Sequence, residues 1–113
     1  MDENELSIPE KIKYLQDTLF TISGKWKLPI LMAMYGGVTR FSDIQRSVST
    51  ITTKVLSKEL KDLEAHQLIV RDVDVTYPLS ITYSLTPYAF TLTPMVDEMI
   101  SWGRNHRKKI AEK

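Results

Sequence analysis

The stretch Phe41–Leu85, FSDIQRSVSTITTKVLSKELKDLEAHQLIVRDVDVTYPLSITYSL, decides the fold. It parses as a short helix, a tight turn, a longer helix with lysines down one side, and two strands joined by a polar hairpin. That order is the signature of a winged helix-turn-helix, a unit that presents one helix to a nucleic-acid groove with a hairpin beside it. Leu56, Leu60 and Leu63 stand at i, i+4 and i+7, so they form one apolar stripe; Lys54, Lys58 and Lys61 repeat the spacing two positions earlier. Two positions turn the helix by about 200°, which sets the lysines nearly opposite the leucines. Such a row is also what an ordinary solvated helix face looks like. Context favours the cationic reading, because Ser49, Thr50, Thr52, Thr53 and Ser57 crowd the turn and first helical turns, where hydroxyls reach phosphate and base edges. Thr52 is the expected N-cap, turning the positive end of the helix toward phosphate.

Working outward, the first helix is expected from about Pro9 to Thr21, with Ile8, Ile12, Leu15, Leu19 and Ile22 at spacings of four and three and a capping box from Ser7 and Glu10. A second helix, roughly Lys25 to Tyr35, is apolar on nearly every side and reads as the buried centre; Gly36-Gly37 stops it, and Pro29 conflicts with an early start. Val38 to Arg40 suggests a short edge strand. Phe41, Ile44 and Val48 give the apolar side of the third helix, with Ser42 as its expected cap, and the lysine helix runs from about Thr53 to His66. Ile69 to Val75 alternates, Thr76 to Ser80 turns, and Ile81, Tyr83 and Leu85 return. Thr86-Pro87 reads as the opening of the last helix, with Thr93-Pro94 a kink or restart and Leu92, Met95, Val96, Met99, Ile100 and Trp102 at helical spacing.

At 113 residues the chain is one domain, with 42% apolar and 26% charged content. No apolar run approaches the about 18 residues of a membrane span, and the acidic start lacks the regions of a signal peptide, so the expected compartment is the cytoplasm. The absence of cysteine excludes disulfides, thiolate metal sites and thiol chemistry. Two histidines, His66 and His106, far apart and without carboxylate partners at ligand spacing, argue against a metal site, a cofactor or an enzyme. Net charge is only +1, but it is segregated: −4 over residues 1–10, +3 over 11–39, +3 over 40–61, −5 over 62–98 and +4 over 104–113. Positive blocks at the reading unit and C-terminal end suit steering toward a polyanion, although acidic and basic blocks could instead pair within a dimer.

Taken in order, Ser23-Gly24-Lys25-Trp26 with Ile30-Leu31, Arg40-Phe41-Ser42-Asp43-Ile44, Leu56-Ser57 with Leu60, Leu63 and Glu64, Tyr83-Ser84-Leu85-Thr86-Pro87, and Trp102-Gly103 resemble the HxlR-type branch of the MarR-like winged-helix transcription regulators. The likeness runs from about Ile12 to His106. It implies a bacterial homodimer held through its first and last helices, binding an operator with two half-sites and acting usually as a repressor, sometimes as an activator. Many members carry an N-terminal sensing cysteine, for which the matching place here is at or near Lys13, and a basic residue near the wing tip, where this chain has Ser80.

These readings converge on a mainly α protein with a small β-hairpin wing, divided into a dimerisation helix (1–22), a winged helix-turn-helix core (23–85) and a C-terminal dimerisation helix (86–113). Thr52, Thr53, Lys54, Ser57, Lys58 and Lys61 are expected in or beside the major groove of double-stranded DNA. Arg40, Ser42 and Arg46 are expected on phosphate, and Tyr77 and Ser80 near the flanking minor groove. Ile12, Leu15, Leu19, Met95, Met99 and Trp102 are the expected homodimer contacts; the alternative is that both end helices pack on their own protomer. A non-covalent small-molecule effector could occupy an apolar pocket bounded by Trp26, Tyr35, Phe90 and Met95, which plain core packing would fill equally well. The rival function is a winged-helix protein-interaction module without sequence-specific DNA binding.

Overall fold

The computed structural model describes residues 5–76 and 78–112, so the expectation for Tyr77 lies outside the described residues. Helix α1 (Ile8–Ile22) starts as its sequence requires: the Ser7 hydroxyl accepts from the Glu10 amide at 3.2 Å and the Glu10 carboxylate accepts from the Ser7 amide at 3.0 Å. Helix α2 (Lys27–Tyr35) begins two residues later than expected, which removes the conflict at Pro29: in the first turn its missing N–H would have had no partner anyway. At the other end Gly37 adopts φ +100°, the Gly37 amide donates to Met34 and the Val38 amide to Ala33. This closure satisfies the last carbonyls and reverses the chain.

Helix α3 (Phe41–Ser47) is capped by the extended backbone of Arg40, so Ser42 lies inside the helix rather than at its cap. Helix α4 (Thr53–Ala65) follows after a five-residue turn, then strand β1 (Ile69–Asp74) and strand β2 (Ser80–Leu85), paired antiparallel with Ile69 opposite Leu85 and Arg71 opposite Tyr83. The expected edge strand at Val38–Arg40 does not form; the Tyr83 amide donates to the Thr39 carbonyl at 2.8 Å, one bond instead of a ladder. Thr86-Pro87 opens not the last helix but a 3-10 segment (Pro87–Leu92), with the Thr86 hydroxyl accepting from the Ala89 amide. Helix α5 (Thr93–Ala111) then starts afresh, with Pro94 in its first turn.

The core gathers around α2, whose Ile30 and Leu31 are fully buried against Ile44, Leu56, Leu60, Leu63, Leu68 and Ile69. The Tyr35 hydroxyl donates to the Ala89 carbonyl and ties the 3-10 segment to this centre; partial burial raises the pKa of that phenol. Three elements project from the core. Among their described residues α1 buries only Ile22, α5 only Val96, and β1 only Ile69. The alternation read in β1 therefore does not produce a buried face along its length: among the described residues Val73 and Val75 stay exposed. The radius of gyration, 17.0 Å, exceeds the about 13 Å of a compact chain this long, as three arms on a small core require. Among the described residues no helix is long and apolar enough to cross a membrane.

Candidate nucleic-acid interface

The rear of α4 is sealed: Leu56, Leu60 and Leu63 are at most 2% exposed, while Lys54, Lys58 and Lys61 all stand in solvent. Burying each leucine contributes roughly 1.5–3 kcal/mol, and together they fix which side of the helix faces out. Thr52 caps the helix, its hydroxyl accepting from the Val55 amide at 3.2 Å. Gln45, which sequence reasoning passed over, sets the angle of entry: its amide donates to the Ile51 carbonyl at 3.2 Å and to the Thr53 hydroxyl at 3.3 Å. The turn it braces includes Thr50 at φ +72°, a left-handed conformation that a β-branched residue adopts at a cost. Ser49, Thr50, Thr52 and Thr53 are exposed around the helix entrance.

Not every cation of the expected surface is free. The Lys58 ammonium lies 3.0 Å from Asp62 and 3.7 Å from Glu59; its hydrogen bond to Asp62 raises its own pKa and lowers that of the carboxylate. Arg46 is bonded to Asp43 within α3. Lys27, at the start of α2, lies 2.8 Å from Glu59 and 3.5 Å from Asp62, with Lys27 and Glu59 nearly buried, so the acidic residues of α4 also staple α2 to it. Among the described residues Arg40, Lys54, Lys61 and Arg71 enter no ion pair.

The residues are not gathered into one site. Ser57 and Lys61 line a cleft of about 430 Å³ between α4 and the hairpin, together with Leu60, Glu64, Arg71 and Tyr83. Lys54 and Lys58 lie elsewhere on the exposed face of α4, Ser42 and Arg46 are exposed on α3, and Ser80 is half-buried at the start of β2, outside that cleft. Arg71 and Tyr83 were absent from the expected set, although Arg71 is the one basic residue between positions 62 and 98 and shares the alternating set of Ile69.

Of the expected dimer contacts, Ile12, Leu15 and Leu19 on α1 and Met99 and Trp102 on α5 are exposed, whereas Met95 is half-buried against the protomer's own core. Phe20 meets His66 edge-on at 5.8 Å, and Trp102 stacks on His106 at 4.8 Å. The expected effector pocket is rearranged. Tyr35 and Phe90, edge-to-face at 5.6 Å, line a groove of about 340 Å³ with Met32, Thr93, Val96 and Asp97, while Trp26 and Met95 pack against the core.

Comparison with known proteins gives a consistent answer. The profile of the HxlR-like helix-turn-helix family matches residues 21–111. An HTH-type transcriptional regulator of Halalkalibacterium halodurans is 40% identical over 99 residues, covering 82% of this chain and 88% of that protein. The HTH-type transcriptional regulator YtcD of Bacillus subtilis is 36% identical over 104 residues, covering 89% and 82%. Among solved structures, a transcriptional regulator of the MarR family from Enterococcus faecalis superposes with a TM-score of 0.81 at 28% identity, over 96% of this chain and 99% of that one. The reduced form of the redox regulator HypR superposes with a TM-score of 0.80 at 34% identity, over 88% and 99%.

Proposed function

The chain belongs to the HxlR-like helix-turn-helix family of transcriptional regulators, and on that premise we propose that it works as a homodimeric repressor at a palindromic operator. The observation that carries this reading is the orientation of α4: its leucines are sealed behind it, and its lysines and the hydroxyls at its entrance face outward. In the proposed complex Thr52, Thr53, Lys54, Ser57, Lys58 and Lys61 lie in or beside the major groove, and Arg40, Ser42 and Arg46 lie near phosphate. An exposed pair such as Lys58–Asp62 exchanges readily for a phosphate.

The arms support the dimer. Ile8, Ile12, Leu15, Leu19 and Phe20 on α1, with Met99, Ile100 and Trp102 on α5, are each 46% exposed or more, an apolar surface that a solitary protomer leaves wet. A two-fold mate that covers it sets two copies of α4 one DNA turn apart, ~34–36 Å. With no cysteine, any signal must reach the chain without thiol chemistry, and the groove beside Tyr35 and Phe90 is the proposed place for a non-covalent effector. Selection of bound duplexes from a random pool tests the proposal. It should enrich a two-fold symmetric sequence with half-site centres one turn apart, and a pool without enrichment, or with one asymmetric half-site, would sink it.

A further inference from the structure

The hairpin looks like a poor DNA element by composition, since β1 carries two aspartates and one arginine. The pleat sorts them. Successive side chains of a strand point to opposite faces, and directly paired residues share a face. Asp72 and Asp74 therefore lie on one side with Ser84, whose hydroxyl donates to Asp72 at 3.2 Å. Arg71 lies on the other with Tyr83, Ile69 and Leu85, the side that meets α4. Arg71 and Tyr83 form one wall of the cleft there; Ser57, Lys61 and Glu64 form the other. Lys61 and Arg71 make no ion pair among the described residues, in contrast to Lys58 and Arg46. With Glu64 present the cleft carries a net charge of +1, which one phosphodiester monoanion neutralises, and its about 430 Å³ leaves room for the adjoining sugar.

The geometry points to a phosphate clamp: Lys61 from α4 and Arg71 from the hairpin hold one DNA backbone phosphate between them, flanked by the Ser57 and Tyr83 hydroxyls. This rests on the DNA-binding reading above and assigns the wing's charge to the middle of β1 rather than to its tip. Two cations on different elements fix the angle between recognition helix and wing on the duplex, a positioning role that carries no base information.

Anisotropy titrations of the full chain with labelled duplex over a range of NaCl concentrations test the clamp. Arg71→Gln and Lys61→Gln should each lower the slope of log K against log salt by about one, on selected and random duplex alike. Arg71→Lys should keep the slope, and Lys11→Gln, on α1 away from the cleft, should match the wild type. A single neutral methylphosphonate at the clamped position should weaken the wild type and leave the Lys61→Gln/Arg71→Gln double variant no weaker than on unmodified DNA. If the wild type binds with a steep salt slope and Arg71→Gln retains it with an unchanged urea midpoint, the clamp is wrong and the DNA reading stands. If the wild type binds no duplex at low salt, both fall.

Discussion

Replacing Thr50 by glycine should stabilise the protein, against the usual sense of a change to glycine. Thr50 sits at φ +72° in the turn between α3 and α4, with its side chain exposed, so the substitution removes no buried contact. An L-residue in the left-handed region costs roughly 1–2 kcal/mol, more for a β-branched one. Glycine gives back about 0.5–1 kcal/mol through its larger loss of backbone freedom. The balance is a gain of about 1 kcal/mol, equivalent to about 4 °C in melting temperature. In urea, with a slope of about 2 kcal/mol/M, it is about 0.5 M in midpoint. Thr50→Asn should follow the same direction, because asparagine tolerates this conformation. Ser49→Gly, one residue earlier and without positive φ, should lose stability instead. Protomer concentration must be held constant across the series, since association shifts apparent stability. A Thr50→Gly midpoint at or below that of the wild type would show that the turn stores no such strain.

Other expectations follow from the same packing. Lys27→Ala should cost about 2 kcal/mol in urea unfolding, because it strands a nearly buried Glu59 that among the described residues keeps only Lys58 at 3.7 Å; a cost below about 0.5 kcal/mol would mean that water reaches the carboxylate freely. The pKa of Asp62 is lowered chiefly by its hydrogen bond from Lys58, so its contribution is complete above the unfolded carboxylate pKa and lost as pH falls through the lower folded value. Asp62→Asn should flatten that acid limb of midpoint against pH, and an unaltered limb would contradict the pairing. Leu56→Ala, behind α4 and outside the cleft, should cost about 2–5 kcal/mol and weaken DNA binding only through unfolding. Leu19→Glu should yield monomers in sedimentation while the circular dichroism of the core persists; an unchanged mass would mean that α1 takes no part in assembly.

Much of this was legible from spacing. Wherever a periodic apolar row meets a cap, as in α4 with Leu56, Leu60, Leu63 and Thr52, both the helix and its outward face follow from the sequence. Short segments carry less information. Val38–Arg40 has strand-forming residues but lacks a partner along its length, and Ser42 was displaced as a cap by Arg40, whose backbone geometry no composition reveals. Thr86-Pro87 marked a true start, yet of a 3-10 segment that ends before α5 begins at Thr93, and the contact that ties this segment to the core, Tyr35 to the Ala89 carbonyl, spans 54 residues and has no local signal. At the interface the lysine row was readable, and so, from acids one helical turn away, was the pairing of Lys58 with Asp62 and of Arg46 with Asp43, a signal left unused; the setting of Arg71 was not, because it comes from the register with Tyr83.

Because the chain contains no cysteine, one introduced at Ser49, exposed at the entrance to α4, can carry an iron chelate that cuts DNA where it lies. On a selected operator, two clusters of cuts opening on the major groove and separated by one turn, ~34–36 Å, are expected if paired copies of α4 enter the duplex. Cuts spread evenly along the same operator, or a single cluster at saturating protein, would contradict it.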